Sequence, residues 1–253
     1  ILIIMRFNQL LLCALLLISS VAFHACDDDD ATTRLDSDVS VEFDYSFNGE
    51  EFTYDQVYDV NGTAVTFQTV QFYVGGIVLH PEDGEMVNVT DKYLLVKPTS
   101  GAQDVVNVDK KHYHMAEFFV GVSAADNDQT ENDFDMRDPA TDPLARQNDP
   151  PMHWNWNAGY LFVRIDAMVD LDADGTPETV MEYHLGRDEF LSDVSVMLHT
   201  DVEQDQQDIV FDFDVAKLFT GLDVSVAYSM HTGDDPVSAR IFADNIASAI
   251  SKK

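Results

Sequence analysis

Residues Pro150-Pro151-Met152-His153-Trp154-Asn155-Trp156-Asn157-Ala158-Gly159-Tyr160 hold both tryptophans of the chain, with a thioether and an imidazole directly beside them. Tyr183-His184-Leu185-Gly186 and Met230-His231 supply more donors of the same kind. Thioether sulfur and neutral imidazole suit copper, Cu(I) in particular. They stand out in a chain otherwise dominated by hard carboxylates. The plainer reading is that Trp154 and Trp156 anchor a core, since large aromatics are mostly packing.

His184 alternates with Tyr183 and Leu185 on a predicted strand, so its ring points to one face while theirs point to the other. It could serve equally as a hydrogen-bonded core residue or as a ligand. His231 precedes Thr232-Gly233-Asp234-Asp235-Pro236 and so sits at a loop rim, where ligands commonly lie. Met152 and Met230 are the thioethers beside these groups. His112-Tyr113-His114 places two imidazoles on one strand face, a pair that needs donors the sequence does not identify. His24, His80 and His199 have no comparable setting.

A different chemistry is written in Asp170-Leu171-Asp172-Ala173-Asp174-Gly175-Thr176-Pro177-Glu178. Alternate oxygens with a glycine at the bend are the first half of a Ca2+ loop. The acid expected at the twelfth position is Met181 instead, with Glu182 one residue late, and Pro177 disfavours a following helix. The segment reads either as a Ca2+ site built from Asp170, Asp172, Asp174 and Glu178 or as an acidic hairpin connection.

The elements that must position these residues are strands. Val39–Phe47 alternates with period two and closes on Asn48-Gly49, a hairpin turn. Val65–Val74, Lys92–Val96, Met115–Val122, Gly159–Asp166, Val180–Leu185, Val194–Leu198, Ile209–Val215 and Val224–Val226 continue the pattern, rich in β-branched and aromatic residues. Many short strands with few helices predict an all-β, antiparallel two-sheet β-sandwich. Val215–Thr220 reads as one helical turn. Ala239, Phe242, Ile246, Ala249 and Ile250 recur at helical spacing, so a short helix is predicted at the chain's end. The polar, acidic segment Ser123–Pro151 is long for a loop, and runs straight into Met152-His153-Trp154. It is expected to be a lid or flank beside the site, or a surface insertion.

The N-terminus predicts an export route. Met5-Arg6, the apolar run Leu10–Ile18 and small residues up to Ala25 describe a signal peptide over residues 1–25, with residues 1–4 ahead of the start. Ala25-Cys26 resembles the end of a bacterial lipobox, although Phe23 and His24 are poor at the preceding positions. Cys26 would then carry the lipid, and with Cys13 discarded no thiol would remain for a disulfide or metal. The ordinary alternative is a cleaved signal with an incidental Cys26. Asp27–Asp30 opens an acidic tether over residues 26–38, with the domain at residues 39–253. An acidic run directly after a lipidated cysteine resembles the surface-export signal of Bacteroidota lipoproteins. The outer membrane, facing outward, is the predicted location, with the periplasm as alternative and the lipid as the sole membrane attachment.

Composition narrows the partners. A net charge of −32, from 46 acids and 14 bases, repels nucleic acid and anionic lipid headgroups. At 45% hydrophobic and 11% aromatic, the chain can bury a proper core. No Gly-x-Ser-x-Gly elbow, His-Glu-x-x-His or glycine-rich phosphate loop is present, so the chain is not expected to be an enzyme.

The order of motifs resembles the MbnP family of copper-associated bacterial proteins. The matching residues are Phe72-Tyr73-Val74 with Ile77-Val78-Leu79, Phe118–Val122, Met152–Tyr160 leading into Phe162, Tyr183–Gly186, and Met230-His231 with Ala243–Ile246. The resemblance implies a secreted or surface β-sandwich that binds copper. It also implies a tryptophan oxidised to kynurenine by a partner di-haem enzyme related to cytochrome c peroxidases. Trp154 or Trp156 would be the modified residue and His184 and His231 the imidazole ligands, with Met152 or Met230 as thioethers. His153 stands where the family has an aromatic residue. The role implied is metal capture, or delivery to an outer-membrane transporter. The competing expectation is a surface glycan- or protein-binding module, with the tryptophans as an exposed stacking platform and Ca2+ as a structural staple.

Overall fold

The computed structural model describes residues 35–146, 148–155 and 157–253. The predicted leader, Cys26 with its acidic run, and Trp156 lie outside the described residues.

The strands and helices follow in chain order. First come β1 (Asp36–Phe47), β2 (Glu50–Glu51), β3 (Val57–Val60), β4 (Thr63–Pro81), β5 (Val87–Val96), β6 (Gln103–Asp109) and β7 (His112–Val120). Then α1 (Ala124–Asn127) and α2 (Glu131–Asp135) precede β8 (His153–Asn155), β9 (Gly159–Val169), β10 (Thr179–Gly186), β11 (Ser192–Asp201) and β12 (Gln206–Asp214). The chain closes with β13 (Ser229–His231), α3 (Pro236–Ala249) and β14 (Ile250–Lys252). Asn48 and Gly49 both take positive φ, 54° and 81°, as the predicted hairpin turn requires.

Two sheets face each other, as the alternation predicts. The first runs β14-β12-β1-β2, with β6 also paired to β1. The second runs β11-β7-β4-β9-β10-β13, with β3 and β5 on β4 and β8 on β9. Phe43 and Tyr45 of β1, Phe72 of β4, Phe118 of β7, and Phe211 and Phe213 of β12 interlock between them. Most pairs are antiparallel, but β1 lies parallel to β12 and β10 parallel to β13. Parallel neighbours need a long crossover, so no local pattern announces them. Asp36 to Asp38, assigned by sequence to the tether, already pair with β6.

At the C-terminal end, Pro236 occupies the first turn of α3 and the Asp235 side chain accepts from the Ser238 N–H, starting the helix ahead of the apolar repeat. Phe242 then packs on Tyr183 and Phe219. The predicted short C-terminal helix is α3, and Ile250–Lys252 after it return as β14 against β12. The helical turn predicted at Val215–Thr220 is a 3-10 helix over Val215–Phe219. The predicted strand Val224–Val226 is instead a turn, because the Asp223 carboxylate and carbonyl take the N–H groups of Ser225, Val226 and Ala227.

The long segment after β7 is ordered by a second, smaller core on the outer face of the second sheet. Phe134 and Leu144 pack there with Tyr73, Met152, Tyr160 and Phe162. Hydrogen bonds hold it: the Tyr73 hydroxyl donates to the Pro143 carbonyl and the Tyr160 hydroxyl to that of Leu144. Arg137 pairs with Asp142 at 2.7 Å and Asp126 at 3.7 Å.

Candidate metal centre

The parallel register of β10 and β13 sets His184 opposite His231. Their ring centres lie 4.9 Å apart at 88°. Two imidazoles sharing one ion at metal–nitrogen distances near 2 Å in a tetrahedral arrangement have ring centres roughly 5 Å apart. Alternation fixes the rest. Tyr183 and Leu185 point into the sandwich core, so His184 and Glu182 share the other face. Glu182 is the cross-strand partner of Asp166 on β9. Donor atoms of Asp166, Glu182 and His184 all lie within 4.8 Å of one another.

His184 is buried, and its Nε2 lies 2.8 Å from Asp166 Oδ1. The second Asp166 oxygen accepts from Arg164 Nε at 2.7 Å, and Arg164 Nη1 donates to the Pro151 carbonyl. Burial alone would raise the Asp166 carboxyl. The hydrogen bonds from His184 and Arg164, with the Arg164 charge, outweigh it and hold the carboxyl at about 2. An ionised Asp166 fixes the His184 proton on Nε2 and leaves the Nδ1 lone pair for a ligand. His231 is half-buried, with Nε2 3.8 Å from Glu182 Oε2.

The end of β10 is pinned to the loop after β13 by Thr232, whose buried hydroxyl donates to the His184 carbonyl at 3.0 Å and accepts the Gly186 N–H at 2.9 Å. Gly186 leaves room for an indole: a Cβ there would stand 2.5 Å from Trp154 Cζ3 and 2.5 Å from the Tyr160 carbonyl oxygen. Trp154, half-buried on β8, and His231 line one open cleft of about 820 Å3 with Asn127, Arg187, Asp188 and Asp234. Asn127 at the end of α1 accepts the Tyr160 N–H and donates to Asp188, tying the long segment to this wall. The segment is therefore a flank of the cleft.

Of the residues singled out by sequence, His184, His231 and Trp154 meet at this margin of the second sheet. The thioethers do not. Met230 faces opposite to His231, fully buried in the main core as the cross-strand partner of Tyr183. Met152 is fully enclosed in the second core. His153 fills the place of a ring by packing edge-on to Phe134 at 4.9 Å, its Nε2 on the Arg146 carbonyl. Asp166, Glu182 and Arg164 were not anticipated. Glu182 could have been found from its spacing of two before His184, whereas Asp166 and Arg164 needed the β9–β10 register.

The acidic loop forms a second cluster. Asp170 accepts N–H groups from Ala173 and Gly175, Asp172 from Asp174, and Asp174 from Thr176. Oxygens of Asp170, Asp172, Asp174 and Glu178 lie within 4.8 Å of one another. Burial and the neighbouring charges of Asp172, Asp174 and Asp170 raise the Glu178 carboxyl. Glu178 thus supplies the fourth acid, and Glu182 belongs to the histidine centre.

Fold and site together define a mixed two-sheet β-sandwich with an imidazole–carboxylate centre beside a tryptophan-lined cleft. The MbnP family model matches residues 36–232, and the chain belongs to the MbnP family. Among solved structures it is similar to MbnP from Methylosinus trichosporium, at 18% identity and a TM-score of 0.52, over 75% of this chain and 80% of that one. That likeness speaks for the fold. No curated protein matches.

Proposed function

We propose that this protein is a non-catalytic copper-binding lipoprotein that captures the metal at His184 and His231. Glu182 completes the protein donors, and Asp166 positions His184. Membership of the MbnP family suggests a copper-related role. The observation that carries the site is the 4.9 Å approach of two imidazoles across a parallel strand pair, with Glu182 beside them. Imidazole and carboxylate donors favour Cu2+ above the other divalent first-row ions.

Trp154 is the tryptophan assigned to oxidation in this reading, because it shares the cleft with His231. A di-haem peroxidase-like partner would reduce two equivalents of peroxide to water while two oxygen atoms add across the indole C2–C3 bond, which breaks. Hydrolysis would then release formate and leave the aryl amine and ketone of kynurenine at the cleft. An anchor at Cys26, an outward-facing position on the outer membrane and delivery to a transporter complete the reading. Trp154 packs against Gly186, which suits a residue built into a site better than a flat stacking platform for glycans. The Asp170–Glu178 loop is proposed as a structural Ca2+ site on the strength of its four convergent carboxylates.

Copper titration of the natively produced protein tests the proposal. His184→Ala and His231→Ala should each lose tight binding with the fold intact, and the intact mass should carry the kynurenine change, absent in Trp154→Phe. Unchanged affinity in both histidine variants would refute the centre. An unmodified mass would refute the oxidation.

A further inference from the structure

Four of the chain's eight histidines, His80, His112, His114 and His199, gather far from the centre above, at the other flank of the second sheet. His80 lies on β4, His112 and His114 on β7, and His199 on β11, three adjacent strands. Cross-strand register places His80 opposite Met115 and Met115 opposite Met197. The next row inward, Leu79, Ala116 and Val196, is buried in the sandwich core. His80, Met115 and Met197 therefore form a continuous row on the outer face, with directly opposed Cβ atoms about 5 Å apart.

The row is equipped as a site. His80 Nε2 lies 2.8 Å from Glu117 Oε2, an orienting carboxylate that leaves Nδ1 with the lone pair. The bulge between His80 and Pro81 brings in the His114 ring, 6.0 Å from that of His80. Met197 is 52% exposed, so its place on this face is not explained by burial. Below the row, His112 is 2.7 Å from Asp201 and its ring 6.1 Å from that of His199. His80 is nine residues beyond Gln71, the β4 position that leads through Arg164 to His184, or about 30 Å of extended chain.

We propose that the outer face of β4, β7 and β11 carries a second, independent soft-metal site, in which His80, His114, Met115 and Met197 take a Cu(I)-type ion. Two thioethers with imidazole select a monovalent soft cation, in contrast to the imidazole–carboxylate set at His184. The strongly acidic surface raises the local cation concentration.

The test uses the full chain with methyl-labelled methionine, titrated with Ag(I) as a closed-shell probe and with Cu(I) under a competing chelator. The Met115 and Met197 methyl signals should move together in NMR spectra. Met115→Leu/Met197→Leu, a near-isosteric change on an outer face, should lose one equivalent of Cu(I) or weaken it more than tenfold. That equivalent should persist in His184→Ala/His231→Ala, which separates this site from the proposed centre. Unmoved methyl signals at one equivalent of Ag(I) in His184→Ala/His231→Ala, or undiminished Cu(I) binding in the methionine double variant, would overturn the proposal.

Discussion

Replacing Asp166 with asparagine tests whether a single ionised carboxylate organises the histidine centre. The Asp166 carboxyl is held at about 2 against an ordinary value of 3.8, so the fold prefers its ionised form by roughly 2 kcal/mol. Its side chain is 21% exposed, and solvent trims the effective figure to about 1–2 kcal/mol. The sign follows from the depressed value. The stabilisation is complete above the ordinary value and is lost as pH falls toward about 2. Asp166→Asn should therefore be about 1–2 kcal/mol less stable than the parent at neutral pH, and the gap should narrow to about half by about pH 3. Urea unfolding followed by far-ultraviolet circular dichroism, from about pH 7 down to about pH 3, reads both predictions. The His184 ring should also lose its single tautomer, seen in its nitrogen chemical shifts. Coincident unfolding curves at neutral pH, or a gap that stays constant under acid, would refute the assigned role of Asp166.

In protein produced without the oxidising partner, Gly186→Ala should cost about 1–3 kcal/mol and shift tryptophan emission, because the new methyl meets backbone at Tyr160 as well as the Trp154 ring; unchanged emission and melting temperature would count against the packing described. Thr232→Val should lower stability by about 1–3 kcal/mol by stranding the Gly186 N–H, and a thermal melt equal to the parent's would show that another group takes over. Met230→Leu should leave copper affinity unaltered, since Met230 lies behind the sheet from His231; a clear loss in titration would contradict that placement. Added Ca2+ should raise the melting temperature of the parent and not of Asp170→Asn, and an equal rise in both would discard the loop as its site.

Much of the fold was legible because period two is a local signal. The alternation in β1 and β12, the Asn48-Gly49 turn and the helical repeat around Phe242 each follow from the rules of one element. Val224–Val226 misled because an aspartate competing for backbone N–H groups outweighs β propensity in so short a run. The long segment before Met152 looked irregular because its few apolar residues, Phe134 and Leu144, gain a partner surface only on the finished sheet.

The candidate centre divides in the same way. Donor chemistry was in the sequence: two imidazoles, a separate tryptophan-rich stretch, and a glycine at the end of the His184 strand. Which donors meet was decided by tertiary structure. The β10–β13 pairing joins residues far apart in the chain, and the β9–β10 register delivers Asp166 and Arg164. One strand face turned His231 toward the cleft and Met230 into the core, while the second core enclosed Met152. Residue types fix what an atom can bind, but sheet register and the facing of each side chain fix which atoms share a space. Those depend on long-range pairing that no local pattern encodes.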